Sequence, residues 1–182
     1  MIKRLRAKYT DKELSEIYSK QYTGSDLADH VIRIEKSIEF INDSLDNVNS
    51  VADLSCGDGK ILNGVLVSQK YYGDFTSGYE FHGPIETTIN NLPPVDLFIC
   101  SETLEHLDDP VAVLKQIRNK TKYLFISTPV GKFDDDNLQH YWAWDFKGIK
   151  KNLTDSGFKI IKSEVLELSQ SYYYDFQLVY CK

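Results

Sequence analysis

The stretch Val51-Ala-Asp-Leu-Ser-Cys-Gly-Asp-Gly59 decides the fold. An apolar run (Val51, Ala52, Leu54) stops at small residues, and Lys60-Ile-Leu-Asn-Gly-Val-Leu-Val67 then reads as helix to about Gln69. Strand, tight turn and helix start follow in that order, as in the first unit of an open α/β sheet. Gly57 and Gly59 permit backbone angles closed to other residues and let a ligand approach the main chain. The turn presents helix N-terminal N–H groups at the carboxyl end of a strand, where such sheets bind ligands. The spacing Asp53-x-Ser55-x-Gly57-x-Gly59 departs from the G-x-G-x-x-G of nicotinamide dinucleotide folds.

Upstream, Thr10-Asp-Lys-Glu13 has capping-box spacing and predicts a short helix to about Lys20. Gln21-Tyr-Thr-Gly24 breaks it, and Ser25 is placed to cap a second helix. Leu27, Val31, Ile34, Ile38, Ile41 and Leu45 form that helix's apolar stripe. Downstream, strands are expected at Lys70–Thr76, near Phe81–Thr87, at Val95–Cys100 and at Tyr123–Ser127, the last ended by Thr128-Pro129. Asp109-Pro110 opens the helix Val111 to about Asn119. An acidic loop (Asp134, Asp135, Asp136) leads through His140-Tyr-Trp-Ala-Trp-Asp145 into a helix ending at Ser156, with Gly157 as left-handed cap. Strands at about Phe158–Glu167 and Tyr174–Cys181 close the chain around a tyrosine-rich turn. The fold class is therefore α/β. It is a doubly wound, mostly parallel sheet of seven or slightly fewer strands, with one antiparallel strand near the C-terminus and a helical lead-in.

With 182 residues, a net charge of −6 and 26% charged residues, the chain is an ordinary globular protein. That acidity disfavours nucleic acid as a partner. The basic cluster Lys3, Arg4, Arg6 and Lys8 reads as a solvated tail. Cys56, Cys100 and Cys181 sit at no metal or disulfide spacing and read as reduced thiols. No signal peptide or membrane span is evident, so the expected location is cytoplasmic with no membrane partner.

Three motifs carry a family resemblance: the glycine turn, Asp74 after the second strand, and Cys100-Ser-Glu-Thr-Leu-Glu-His-Leu-Asp-Asp-Pro110. Over about residues 50–160 the chain resembles class I (Rossmann-like) S-adenosylmethionine (SAM) methyltransferases. Ser55 stands where a glycine is more usual. ADLSCGDG, SETLEHLDDP and HYWAWD also resemble short stand-alone methyltransferases of bacteriophages. The resemblance implies a single methyltransferase domain over 1–182, with 1–49 as helical lead-in or lid and 50–182 as core. It implies that Asp53, Ser55, Gly57 and Gly59 line the methionine part of SAM, Asp74 the ribose, and Ser101 and Glu102 the wall opposite the sulfonium. Phe75 is a candidate adenine cover. Pro84 occupies the family's usual adenine-contacting acid position, leaving the Ile85 backbone or Glu86. Only about eight residues separate Asp74 from Gly83, too few for the usual helix. Arg33 on the second helix is a candidate clamp for the cofactor carboxylate, and Tyr9, Tyr18 and Tyr22 are candidate covers.

For chemistry, His106 and His140 are candidate general bases and Glu102 a third catalytic candidate. Tyr141, Trp142 and Trp144 are either an acceptor wall or helix-entry packing. Glu102, Glu105, His106 and His140 have the composition of an oxygen and nitrogen metal site, but the favoured reading has no metal. The expected activity is methyl transfer from SAM to an oxygen or nitrogen of a small polar acceptor. The alternatives are a SAM-binding protein without turnover, or a nucleic-acid methyltransferase.

Overall fold

The computed structural model describes residues 1–18 and 27–182. The expected break at Gln21–Gly24, the Ser25 cap, Lys20 and Tyr22 lie outside them. The described chain runs β1 (Ile2–Arg4), α1 (Asp11–Ile17), α2 (Ala28–Asn42), β2 (Ser50–Asp53), α3 (Lys60–Gly64) and β3 (Gln69–Asp74). Then come β4 (Phe81–His82), α4 (Ile85–Thr88), β5 (Val95–Ser101), α5 (Pro110–Arg118), β6 (Thr121–Val130), β7 (Trp142–Trp144), α6 (Phe146–Asp155), β8 (Ile160–Leu166) and β9 (Asp175–Cys181).

Seven strands form one sheet in the order β4-β3-β2-β5-β6-β9-β8. The pairs from β4 to β6 are parallel, and β9 runs antiparallel to both its neighbours. β5 is buried over nearly its whole length, as a strand covered on both faces must be. Ala52, Phe98, Cys100, Leu124, Ile126 and Val179 face a core completed by Leu114, Ile117, Ile149 and Leu153 of α5 and α6. Val51, Leu97, Ile99, Phe125 and Leu178 face a second core with Ile34, Phe40 and Ile41 of α2 and Ile61 and Leu62 of α3. The chain is thus doubly wound.

Several boundaries differ from the sequence reading. α3 stops at Gly64, where α2 packs so closely that a Cβ would lie 2.5 Å from Ile38 Cδ1. Asn42 then ends the helix, its Nδ2 donating to Gly64 O and its Oδ1 accepting from Leu66 N. β4 has two residues rather than seven, since Pro84 starts α4 at once. β6 continues through Pro129, a position that has outrun β5 and pairs only with β9. A proline is tolerated on such a free strand edge. Finally, Ile2–Arg4 is not a solvated tail. It pairs antiparallel with Trp142–Trp144 as a second, two-stranded sheet, and Arg4 stacks on Trp142 while bonding to Asp108.

Parallel strands ordinarily need a crossover of a dozen or more residues, but residues 75–80 alone join β3 to β4. No helix occupies this connection. Gly73 makes it possible, because β3 and β4 approach there more closely than a side chain would allow.

Candidate functional site

The carboxyl ends of β2, β3, β5 and β6 meet along one edge of the sheet. At β2, Asp53 is 2% exposed and its Oδ1 accepts from Ser55 N and Ser55 Oγ at 2.9 and 3.3 Å. The turn then passes through Gly57 (φ 58°) and Gly59 (φ 77°), both in the left-handed region that favours glycine. Ser55, the departure from the expected glycine, is used: its hydroxyl lies 2.7 Å from that of Thr103 after β5.

Asp74 ends β3 and ties the turn to it. Its Oδ2 accepts from Gly57 N at 2.9 Å, and its Oδ1 accepts from Thr76 N and Oγ1 at 2.9 and 3.0 Å. Tyr79 O–H donates to Gly57 O at 2.6 Å. Phe75 packs against Tyr18, ring centroids 5.3 Å apart. The Ile85 side chain lies in the core, while its amide opens α4 and has no acceptor within that helix.

Burial, reinforced by the Asp74 charge, raises the Asp53 pKa to about 7 against the pull of its Ser55 bonds. The folded chain therefore keeps a proton that an unfolded aspartate (pKa about 3.9) releases. Stability from this source falls as pH rises from about 4 to about 7 and levels off above. Asp53→Asn is expected to remove that slope. Melting curves should show the variant gaining on wild type between about pH 5 and about pH 8; an equal offset at both would contradict it.

At the end of β5, Glu102 takes a left-handed φ of 50°, uncommon for a residue with a side chain. Its N–H donates to Ser127 O at 2.9 Å, and its Oε1 accepts from Ser127 Oγ at 3.0 Å. Ser101 lies beside it and accepts from Arg33 Nη1 at 2.9 Å. Arg33 is 5% exposed on α2, its guanidinium stacked on Phe176 at 5.6 Å. Among the described residues it makes no ion pair, and its Nε has no hydrogen-bond partner. A buried charge is normally paired.

The histidines sit next to each other, ring centroids 4.8 Å apart. His106 Nδ1 faces Gln139 O at 3.0 Å, so it must carry the proton, leaving Nε2 as a lone pair. Loss of water around the ring, with His140 beside it, lowers the His106 pKa and keeps the imidazole neutral. In His140, Nδ1 meets Asp135 Oδ2 at 2.7 Å and Nε2 meets Asn137 Nδ2 at 3.2 Å, so both nitrogens are engaged. Asp135 also accepts from Tyr174 O–H at 2.9 Å.

Glu105, His106 and His140 bring ligand atoms within 4.8 Å of one another; Glu102 is not in that group. Glu105 is buried, its Oε2 accepts from Thr128 Oγ1, and burial together with Glu102 raises its pKa. Among the described residues of that group, only Glu105 Oε1 and His106 Nε2 are uncommitted, fewer donors than a hard divalent cation takes. The set does not fit a resident metal as it stands.

The aromatic residues resolve as packing. Trp144 is 1% exposed and donates to Thr128 Oγ1, Trp142 donates to Leu107 O, and Tyr141 is 2% exposed. Thr76, Tyr79, Ser127, Thr128 and Asp135, which bond to the candidate residues or their neighbours, were not singled out for the site by the sequence reading. The one signal available was two hydroxyl residues, Ser127 and Thr128, ending an otherwise apolar buried strand.

The model of a family described as "Methyltransferase domain" matches residues 12–159. The chain belongs to that family. No curated protein matches this methyltransferase-domain chain by sequence. Among solved structures it resembles a SAM-dependent methyltransferase from Leishmania major, with 18% identity over 94% of this chain and 82% of that one, TM-score 0.74. It also resembles the 1,6-didemethyltoxoflavin-N1-methyltransferase of Burkholderia thailandensis bound to its substrate and S-adenosylhomocysteine (SAH): 14% identity, coverage 99% and 93%, TM-score 0.71. A third is the magnesium protoporphyrin IX methyltransferase of Synechocystis with bound SAH, at 13% identity, coverage 93% and 92%, TM-score 0.64. At these identities the likeness establishes the fold.

Proposed function

We propose that this methyltransferase transfers the methyl group of SAM to an oxygen or nitrogen of a small polar acceptor, as one cytoplasmic domain in which residues 1–49 act as lead-in and lid. The finer likeness to bacteriophage stand-alone enzymes rests on the three quoted phrases. The observation that carries the cofactor reading is Arg33, a buried guanidinium with an unpartnered Nε and no ion pair among the described residues. The cofactor's amino-acid carboxylate supplies the missing partner, by a charge-assisted bond.

The remaining residues fall into place around that anchor. Asp53, Ser55, Gly57 and Gly59 hold the methionine part against the turn. Asp74 keeps one unused acceptor position for a ribose hydroxyl, and Phe75 with Tyr18 covers the adenine side, beside the Ile85 amide. Ser101 and Glu102 wall the sulfonium. When bound, SAM supplies a methyl group already activated on sulfur, so the protein's task is alignment, worth about 7–11 kcal/mol in favourable cases. His106 Nε2, neutral and unprotonated, takes the acceptor's proton. His140, fixed by Asp135 and Asn137, packs edge-on against His106 and holds it in place.

Calorimetry with SAH and with 5′-methylthioadenosine, which lacks the amino-acid end, tests the anchor. Wild type should prefer SAH, and Arg33→Met should weaken SAH by about tenfold or more while leaving methylthioadenosine unchanged. Equal loss of both would refute the role of Arg33. Turnover is read as SAH released from SAM in the presence of candidate hydroxyl and amine acceptors.

A further inference from the structure

Arg33, Ser101, Ser127 and Glu102 form one chain of hydrogen bonds with a fixed direction. Arg33 Nη1 donates to Ser101 Oγ at 2.9 Å, the two serine hydroxyls lie 2.7 Å apart, and Ser127 Oγ donates to Glu102 Oε1 at 3.0 Å. A hydroxyl has one proton to give. Ser127 gives its proton to Glu102, so it must accept from Ser101, whose own oxygen accepts from the guanidinium. Every donor therefore points from the cation towards the carboxylate. Both serines are buried, Ser127 completely.

The backbone is arranged to make this link. The left-handed turn at Glu102 costs about 1–2 kcal/mol, and the Glu102 side chain reaches Ser127 on the neighbouring strand β6. Ser127 holds that conformation twice, through its carbonyl to Glu102 N–H and its hydroxyl to Glu102 Oε1. Glu102 is thus the remote counter-charge of Arg33, two hydroxyls away. Bonds in such a chain polarise one another, most strongly where water is excluded.

We propose that Ser101 and Ser127 are positioning residues that couple Arg33 to Glu102, so that filling the cofactor-carboxylate site loosens Glu102 and frees it for the acceptor. The coupling rests on the reading that Arg33 holds the cofactor carboxylate. An anion arriving at Arg33 competes with Glu102 for the same guanidinium charge. The two carboxylates therefore oppose each other through the serines. Cofactor then binds before acceptor, because only the loaded site presents a Glu102 relieved of its internal duty.

Calorimetry on the whole chain tests this without an identified acceptor. Glu102→Gln removes the competing charge and should raise the affinity ratio of SAH to 5′-methylthioadenosine by about three- to fivefold, within the usual range for coupled neighbours. In a Ser127→Ala background the same change should leave the ratio unaltered, and Ser127→Thr, which restores a hydroxyl, should restore the response. A purely structural serine would alter both ligands together and leave their ratio alone. Ser101→Ala breaks the same chain one link earlier and serves if Ser127→Ala does not fold. A Glu102→Gln response of equal size in both backgrounds would overturn the coupling, as would no response in either. Wild-type protein that retained no SAH would instead overturn the cofactor reading itself.

Discussion

Asp74→Ala should weaken SAH binding by about tenfold or more, the loss of one or two hydrogen bonds to a charged group. The carboxylate has about four acceptor positions. The described residues use three of them, for Gly57 N, Thr76 N and Thr76 Oγ1. One remains for a ribose hydroxyl. Removing the side chain therefore acts twice: the ribose loses its acceptor, and the glycine turn loses the bond that fixes its amide. Gly57 O stays held by Tyr79, so the turn loosens on one side only. Asp74→Asn keeps a single carbonyl oxygen and should fall between wild type and alanine. Calorimetric titration with SAH decides the matter, and unchanged affinity in the alanine variant would refute the ribose role.

What could be read from the residues alone was whatever a local signal enforces. β2 and its turn are announced by an apolar run cut off at glycines, and β5 by a near-continuous apolar run broken only at Asp96. α5 is announced by Asp109-Pro110, where Asp109 Oδ1 does accept from Ala112 N. α6 is capped by Asp145, whose side chain accepts from Gly148 N, and ends before Gly157 at φ 86°. β1 and β7 gave no such signal. Three residues carry no periodicity, and the pairing joins residues 2–4 to the distant residues 142–144. The site divides along the same line. Asp53, Gly57, Gly59 and Asp74 lie on local motifs, whereas the burial of Arg33 follows from where α2 packs. Ser127 looked like one more strand residue, and Asp135, buried against His140, like one aspartate in a solvated acidic run. Contacts made across the sheet leave little trace in any one segment.

The glycine that joins fold to site is Gly73, and Gly73→Ala should destabilise the protein by about 3 kcal/mol, the upper end of ordinary overpacking. A Cβ there would lie 2.8 Å from Phe81 Cβ, Phe81 O and Leu54 Cδ2. Two of those atoms cannot turn aside. Phe81 O is backbone, in the strand paired with β3 at this residue, and Phe81 Cβ is fixed by it. β4 has only two residues and a short connection to β3, so it has no slack with which to retreat. The displacement also reaches the glycine turn, since Gly73 O accepts from Cys56 N at 3.0 Å and Asp74 is the next residue. Stability and SAH affinity should therefore fall together. Gly78→Ala is the matched control: its φ of 111° strains any side chain, yet no atom lies within 4 Å of the added Cβ. Denaturant unfolding should place Gly73→Ala well below that control, and a loss of less than about 0.5 kcal/mol, the range of ordinary surface substitutions, would mean that β4 is free to move away and that its contact with β3 does not fix the position of Asp74.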